Sequence, residues 1–319
     1  MAVVELRNVT KKFSNRRGEV TAVDNVSFNI NSGEVLGILG PNGAGKTTTL
    51  RMIVTIYKPD DGMISVDGVD VVKNPLEVRK RIAYMTQEPD LFPSLTVREY
   101  ITYYFRFRGL RKGKAALYCD RVLELFDLRE HANKKPFQLS TGLKRRVQLA
   151  CVLSSDVPVV FLDEPTAGVD PKSKRDTWEI IREKLRENGM TVLITSHDLY
   201  EVEYLANRVV IMNHGKIVAE GSPIELKKKF GKTVRITLEE PIASLDPLRT
   251  LLLEVGSVRE VIPTGGNSFE VHIKSIEDSI NDVIQVMVSQ GVRIRDISTT
   301  TATFEDVYLD LLGGEAGGA

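Results

Sequence analysis

The sequence predicts two domains of different class: an α/β domain over residues 1–231 and a smaller α+β, ferredoxin-like domain over residues 232–319. In the first, short runs rich in Val and Ile ("VLGIL", "VPVVFL", "TVLIT", "RVVIM") alternate with longer helical patterns, as they do where a sheet is buried on both faces. After "KKKFGK" the pattern changes, and so does the charge. Residues 1–231 hold 36 basic and 29 acidic side chains and the remainder 7 and 14, although the whole chain balances at 43 of each. With 319 residues and 42% hydrophobic composition the chain can fill both cores. Its zero formal charge offers no overall field for nucleic acid or an anionic membrane, and no nucleic-acid partner is expected.

The opening "MAVVELRNVT" alternates like a strand and lacks the basic, apolar and small-residue regions of a signal peptide. "EVLGIL" is a buried strand, and the Gly-rich "GPNGAGKTT" turns it into the helical "TTLRMI". Another strand ends at Gln87 in "MTQEPDLFP". Residues from about 88 to 155 read as a helical subdomain, opened by a capping box in which Thr96 is followed three residues later by Glu99. Tyr100, Tyr103, Tyr104 and Phe107 recur at helical spacing and read as the core face of that helix. "VVFLDE" and "ITSHD" are buried strands that run into polar residues. Cys119 and Cys151 are too few and too far apart for a disulfide framework or a CxxC metal site, so both read as core residues in a reducing cytosol.

In the last domain "TVRITLE", "DPLRTLLLEVG", "VREVIP", "SFEVHIK", "SIEDSINDVIQVMVSQG" and "VRIRDIS" give β-α-β-β-α-β, with "TGGN" turning the central hairpin. The closing "GGEAGGA", about residues 313–319, has nothing to bury and is expected to be disordered. No apolar run approaches the roughly 18 residues that span a bilayer, so a membrane role would come from a partner.

"GPNGAGKTT" fits G-x-x-x-x-G-K-[ST] from Gly40 to Thr47, between a strand and a helix as the motif requires. Such a turn offers N–H groups and the positive end of a helix to a phosphate, and Gly43 and Gly45 let the backbone approach it, with Pro41, Asn42 and Ala44 completing the loop. Lys46 suits the β- and γ-phosphates of a nucleotide, Thr47 a Mg2+ ion and Thr48 the α-phosphate. In "VVFLDE" a buried strand ends on two carboxylates. Asp163 is placed to hold the metal through water, and Glu164, pointing the other way, to act as general base for an attacking water. Gln87 can reach the metal or a water near the γ-phosphate, and His197 can hold the γ-phosphate and water in line; His131, His214 and His272 have no such setting.

"LSTGLKRR" lies far along the chain from the phosphate loop. It supplies what phosphoryl transfer needs on the far side of the γ-phosphate: Ser140 as a hydroxyl-bearing N-cap, Gly142 for close approach, and Lys144, Arg145 and Arg146 on the helix behind. The other reading of these residues is an ordinary capped helix with a solvated basic face.

Together these motifs resemble the nucleotide-binding subunit of ATP-binding-cassette (ABC) transporters over roughly residues 2 to 230. The resemblance implies a P-loop NTPase cassette, a RecA-like core plus a helical subdomain, that binds ATP and Mg2+ and hydrolyses ATP. Phe13 stands where the family stacks an aromatic ring on adenine, "GPNGAGKTT" at Walker A, and Gln87 at the Q-loop. "LSTGL" falls at the signature LSGGQ, "VVFLDEP" at Walker B, "AGVD" ending in Asp170 at the D-loop, and His197 at the switch histidine. The family pattern further implies a homodimer packed head to tail around nucleotide, the signature of one copy closing over ATP held by the other. A separate multi-span membrane permease is the implied partner, and the implied place is cytoplasmic, peripheral on the inner face of the cell membrane. In the family the groove beside the Q-loop receives short permease helices, which makes residues 88–92 with Tyr100 and Tyr104 the candidate coupling surface.

Two positions depart from the signature. Thr141 brings a Cβ into a loop expected to be crowded and Leu143 removes an amide, while Ser140 and Gly142 remain, so slower turnover is expected. The lone cassette, the short "LSTGLKRRV" signature, the small C-terminal domain and the tail "TTATFEDVYLDLLG" resemble ATPases of the drug, antibiotic and lipid exporter branch. The alternatives are an importer ATPase, or a soluble cassette that clamps ribosomes or DNA. For the C-terminal domain they are a dimer-stabilising module or a ligand sensor.

Overall fold

The computed structural model describes residues 2–15, 18–88, 91–229, 232–240, 244–273, 276–301 and 303–313. The chain divides into two compact units between Glu220 and Gly221.

In the first unit the Val- and Ile-rich runs assemble into one six-stranded sheet. Its order is Lys216–Gly221, Arg208–Asn213, Val35–Leu39, Thr191–Ser196, Val159–Asp163, Ile82–Met85. From Arg208–Asn213 to Ile82–Met85 the neighbours are parallel. Parallel neighbours need crossover helices, which cover both faces, and Val35–Leu39, Val159–Asp163 and Thr191–Ser196 are accordingly buried at every residue. Register then sets the site. Leu39 pairs with Ser196, Asp163 with Thr195 and Leu162 with Met85, so four strands end at one level. The residues beyond those ends, Gly40, Glu164, His197 and Gln87, emerge along one edge, where open α/β sheets bind ligands.

An antiparallel sheet in the order Gly18–Asn31, Ala2–Asn15, Asp61–Val66, Val69–Asp70 shares a core with the parallel one, through Val4, Leu6, Ile30, Ile64, Leu36 and Ile38. Helices Val97–Phe107, Lys112–Leu125 and Thr141–Leu153 contribute to another core that includes Phe105, Phe126 and both cysteines. The capping box forms: Thr96 Oγ1 accepts from the Glu99 N–H, and the Glu99 carboxylate accepts from the Thr96 N–H. The tyrosine stripe supplies only half of the core face of this helix: Tyr100 and Tyr104 pack, partly buried, against the helical core. Val97, Ile101 and Phe105 are buried, whereas Tyr103 is 40% and Phe107 88% exposed. The two faces differ by one position, about 100° of rotation. Apolar character alone does not choose between them; the packing partner does.

The second unit has a sheet in the order Val258–Gly265, Ser268–Ile273, Lys232–Leu238, Ile294–Thr301, with every neighbouring pair antiparallel. Helices Asp246–Glu254 and Ile276–Ser289 make the crossovers, so the β-α-β-β-α-β pattern is realised as a ferredoxin-like fold. Gly265 and Gly266 turn the hairpin at φ +99° and +63°, which side chains with a Cβ rarely adopt. Val234, Ile236, Leu252, Phe269, Val271, Val283 and Met287 fill the core. Helix Pro223–Lys229, ahead of the composition break at 231, packs on Phe304–Gly313 within this unit. Of the closing "GGEAGGA" only Gly313 falls within the described residues. No helix among the described residues is long and apolar enough to cross a membrane.

Candidate functional site

Strand Val35–Leu39 delivers the chain into Gly40–Gly45 and then into helix Lys46–Ile53. The turn needs glycine for two reasons. Gly43 and Gly45 sit at φ +83° and +100°, and a Cβ on Gly40 would lie 2.4 Å from the carbonyl oxygen of Met212. Ala44 is buried and Pro41 half-buried, while Asn42 and Gly43 are exposed, so the rim of the loop is open to a ligand with the helix N-terminus behind it. Lys46 is buried, and its Nζ donates back across the loop to the carbonyls of Gly40 (2.7 Å) and Pro41 (3.1 Å). Burial holds its pKa below the usual lysine value, against the pull of Glu164 and Asp163.

Asp163 is fully buried at the end of its strand. Its Oδ1 accepts from the hydroxyls of Thr47 (3.1 Å) and Thr195 (2.5 Å), and its Oδ2 from the phenol of Tyr84 (3.3 Å). Glu164 follows at φ +48°, uncommon for a residue with a Cβ, and its N–H is held by the carbonyl (3.0 Å) and hydroxyl (3.2 Å) of Thr195. This turn gives the adjacent carboxylates separate partners. The Glu164 carboxylate lies 3.8 Å from Lys46 Nζ, accepts from the Gln87 amide at 3.2 Å, and lies 3.2 Å from His197 Nδ1. Lys46, Gln87, Glu164 and His197 thus form one contact group, with Thr47 and Asp163 beside it. Thr48, half-buried, is on the same first turn as Thr47.

Ser140 caps helix Thr141–Leu153 by accepting from the Leu143 N–H, and Asp170 caps helix Pro171–Asn188 by accepting from the Ser173 N–H at 3.0 Å. Ser173, through its hydroxyl and then its N–H, holds the Asp170 carboxyl below its ordinary pKa. A Cβ on Gly142 would sit 3.6 Å from Val169 and 3.7 Å from Ser173, so signature and D-loop form one patch within the chain. Thr141 is exposed, so its Cβ meets no crowding within the chain, contrary to the expectation for this loop. Leu143 packs partly against the helical core. Phe13 is 37% exposed, edge-on to Tyr57 at 5.4 Å, with Lys11 Nζ 5.4 Å from its ring centre.

Four residues of this region carry contacts that sequence reasoning did not assign. Arg145, the middle of three consecutive basic residues, is 5% exposed and donates to the carbonyls of Glu164 (2.9 Å) and Gln87 (2.6 Å); burial lowers its pKa. Thr195 and Tyr84 hold Asp163, and burial together with Asp163 pushes the Tyr84 phenol up. Glu201, fully buried, accepts from Thr166 (2.7 Å), Trp178 (3.0 Å) and Ser196 (2.6 Å), tying the D-loop approach to the residue before His197; burial raises its pKa. Polar Thr195 inside an apolar run was the one available signal; the others depend on which chain segments become neighbours.

Residues 23–167 match the family described as ABC transporter, and residues 221–312 match the ATP-binding protein DrrA1-3-like C-terminal domain. The chain is 33% identical over 301 residues to the daunorubicin resistance ATP-binding protein DrrA3 of Streptomyces coeruleorubidus, covering 94% of each chain. The chain belongs to the ABC transporter family. It is an ATP-binding, ATP-hydrolysing subunit, with a C-terminal domain whose matched region begins where its second compact unit begins. The Nod factor export ATP-binding protein I of Paraburkholderia xenovorans is 33% identical over 316 residues, 98% of each chain. Among solved structures, the dimeric post-hydrolysis state of the ATP-binding cassette MJ0796 bound to ADP and Pi is similar at a TM-score of 0.64 and 28% identity, over 69% of this chain and 98% of that one.

Proposed function

We propose that this ABC subunit powers export of drug, antibiotic or lipid-like molecules through a separate membrane permease, as a homodimer peripheral to the cytoplasmic face of the membrane. The observation that carries the reading is coverage. Likeness to proteins named for daunorubicin resistance and Nod factor export runs through both domains, not the cassette alone.

In the proposed cycle Phe13 stacks on adenine and Gly40–Gly45 wrap the phosphates. Lys46 exchanges the Gly40 and Pro41 carbonyls for the β- and γ-phosphate oxygens, an exchange supported by its position within reach of the loop. Thr47 and Asp163, two hard oxygen donors 3.1 Å apart, suit Mg2+, with Gln87 near; the ion would neutralise phosphate charge. Glu164 takes the proton of the attacking water, and Gln87 and His197, already touching its carboxylate, fix its direction and the in-line approach. Ser140, Gly142 and Asp170 form the patch that closes over ATP held by the other copy, a reading supported by the dimeric MJ0796 cassette.

A cleft of about 460 Å3, lined in part by Gln87, Glu88, Tyr100 and Tyr104, opens between the parallel sheet and the helices and is the proposed seat of the permease. Phe92 is 64% exposed, 6.3 Å from the Tyr100 ring; Pro89 and Asp90 of the expected coupling surface lie outside the described residues. The test is to tag the chain in its native cells, extract membranes in mild detergent and identify what co-purifies with and without ATP. Recovery of a multi-span protein supports transport, and the direction of cargo flux in vesicles then decides export. Recovery solely with ribosomes or DNA overturns the reading in favour of a soluble clamp.

A further inference from the structure

We infer that Tyr84 is a positioning residue for the metal-side carboxylate Asp163, as Gln87 is for Glu164. The inference rests on the proposed Mg2+ role of Thr47 and Asp163. Tyr84 and Gln87 lie three residues apart on the segment that ends strand Ile82–Met85, and both line the cleft. Each reaches inward to a different one of the two adjacent carboxylates: Tyr84 Oη to Asp163 Oδ2 at 3.3 Å, Gln87 Nε2 to Glu164 Oε2 at 3.2 Å.

The distribution of donors on Asp163 gives Tyr84 its weight. Thr47 and Thr195 both donate to Oδ1, and among the described residues Tyr84 is the donor to Oδ2. When Thr47 turns its hydroxyl oxygen to a metal, Thr195 and Tyr84 remain, one on each carboxylate oxygen. Two donors on opposite oxygens fix the plane of the group; Thr195 alone leaves it free to swing about Oδ1. The Tyr84 ring is itself held. It packs against the core shared by the two sheets, and the strand pairs in register with Val159–Asp163, Tyr84 opposite Phe161. Arg51, another cleft residue, interacts with the phenol and donates to Tyr57 at 3.3 Å. A partner seated in the cleft therefore bears on the supports of both carboxylates, the proton-accepting one through Gln87 and the metal-side one through Tyr84.

Tyr84→Phe removes the hydroxyl and keeps the ring, so the fold is retained. The full chain and the variant are titrated with a fluorescent non-hydrolysable ATP analogue, in EDTA and in Mn2+ as the metal probe; the ratio of the two Kd values reports the metal contribution. The expected result is a loss of about tenfold in that ratio, the scale of one hydrogen bond to a charged group, with the EDTA affinity unchanged. An unchanged ratio overturns the inference, as does an equal loss in EDTA and Mn2+, which would mark Tyr84 as merely structural. Tyr118→Phe, which removes a phenol that donates to the Ser154 carbonyl among the helices, should leave both affinities unchanged; an equal loss there also overturns it. Asp163→Asn separates the two levels. If it abolishes the Mn2+ enhancement while Tyr84→Phe does not weaken it, the Tyr84 role alone fails. If it too keeps the enhancement, the metal reading fails and takes this one with it.

Discussion

Replacing Arg145 with alanine decides whether the basic run after Ser140 is a solvated face or a structural part of the site. The guanidinium is 5% exposed and donates to the carbonyls of Glu164 and Gln87, the backbones of two proposed catalytic residues. Each hydrogen bond from a charged donor contributes about 1.5–3 kcal/mol; stranding the buried Glu164 carbonyl costs a comparable amount, and the part-buried Gln87 carbonyl, which water can reach, costs less. Relief of the buried charge, which its lowered pKa reports, offsets part of this, so the net loss is about 3 kcal/mol. For a cassette of this size that lowers Tm by roughly 6–12 °C. Arg145→Lys, with one compact ammonium for two carbonyls, falls about midway. The activity signature differs from the stability one: kcat falls because Glu164 and Gln87 lose their backbone anchor, whereas nucleotide Kd holds because the Gly40–Lys46 loop is untouched. Thermal unfolding by circular dichroism and steady-state ATPase at 20 °C check both. A Tm shift under about 2 °C, the exposed-residue scale, with unchanged kcat would refute the reasoning and restore the solvated-face reading.

Glu164→Gln should lower ATP hydrolysis by about 100-fold or more while nucleotide binding persists, since general-base loss costs on the order of 10²–10⁴ in rate; phosphate release against equilibrium binding reads the split. Leu143→Gln should raise kcat about two- to fivefold by restoring an amide beside Ser140, the scale of one exposed hydrogen bond; an equal or lower ATPase rate counts against the trans-site role of the signature. Glu201 gives a pH prediction. Burial raises its carboxyl above the ordinary 4.5, so the native state holds that proton longer than the unfolded chain. Its contribution to stability is fully present below about 4.5 and is lost as pH rises through the raised native value. Glu201→Gln should flatten this slope, seen as a wild-type-minus-variant Tm difference that falls with rising pH; a pH-independent difference sinks the assignment.

Much of the site was legible because its chemistry is local. A phosphate loop needs particular glycines, a lysine and a threonine at fixed offsets, and Gly40 to Thr48 show them in nine consecutive positions. The strands were legible because a sheet buried on both faces leaves unbroken Val and Ile runs. The ferredoxin-like pattern was readable from alternation and from the Gly pair that turns its hairpin. The tyrosine stripe was half right: Tyr100 and Tyr104 pack against the core, but the neighbouring helices centre that face on Val97, Ile101 and Phe105 and leave Tyr103 and Phe107 exposed. Arg145 misled because charge in a sequence does not say where a guanidinium ends.

What the sequence determined by itself is the set of candidate reactive groups and the order of the elements that carry them, since phosphate cradles, N-caps and buried strands are properties of short segments. What the tertiary structure decided is which distant segments meet. The register of Val35–Leu39, Thr191–Ser196, Val159–Asp163 and Ile82–Met85 ends four strands at one level. It thereby puts Tyr84 and Thr195 on Asp163, and Arg145 behind Glu164 and Gln87. Those contacts join residues up to 79 positions apart, as Tyr84 and Asp163 are. Only sheet pairing and the burial it enforces, not any local preference, bring such residues within hydrogen-bond reach.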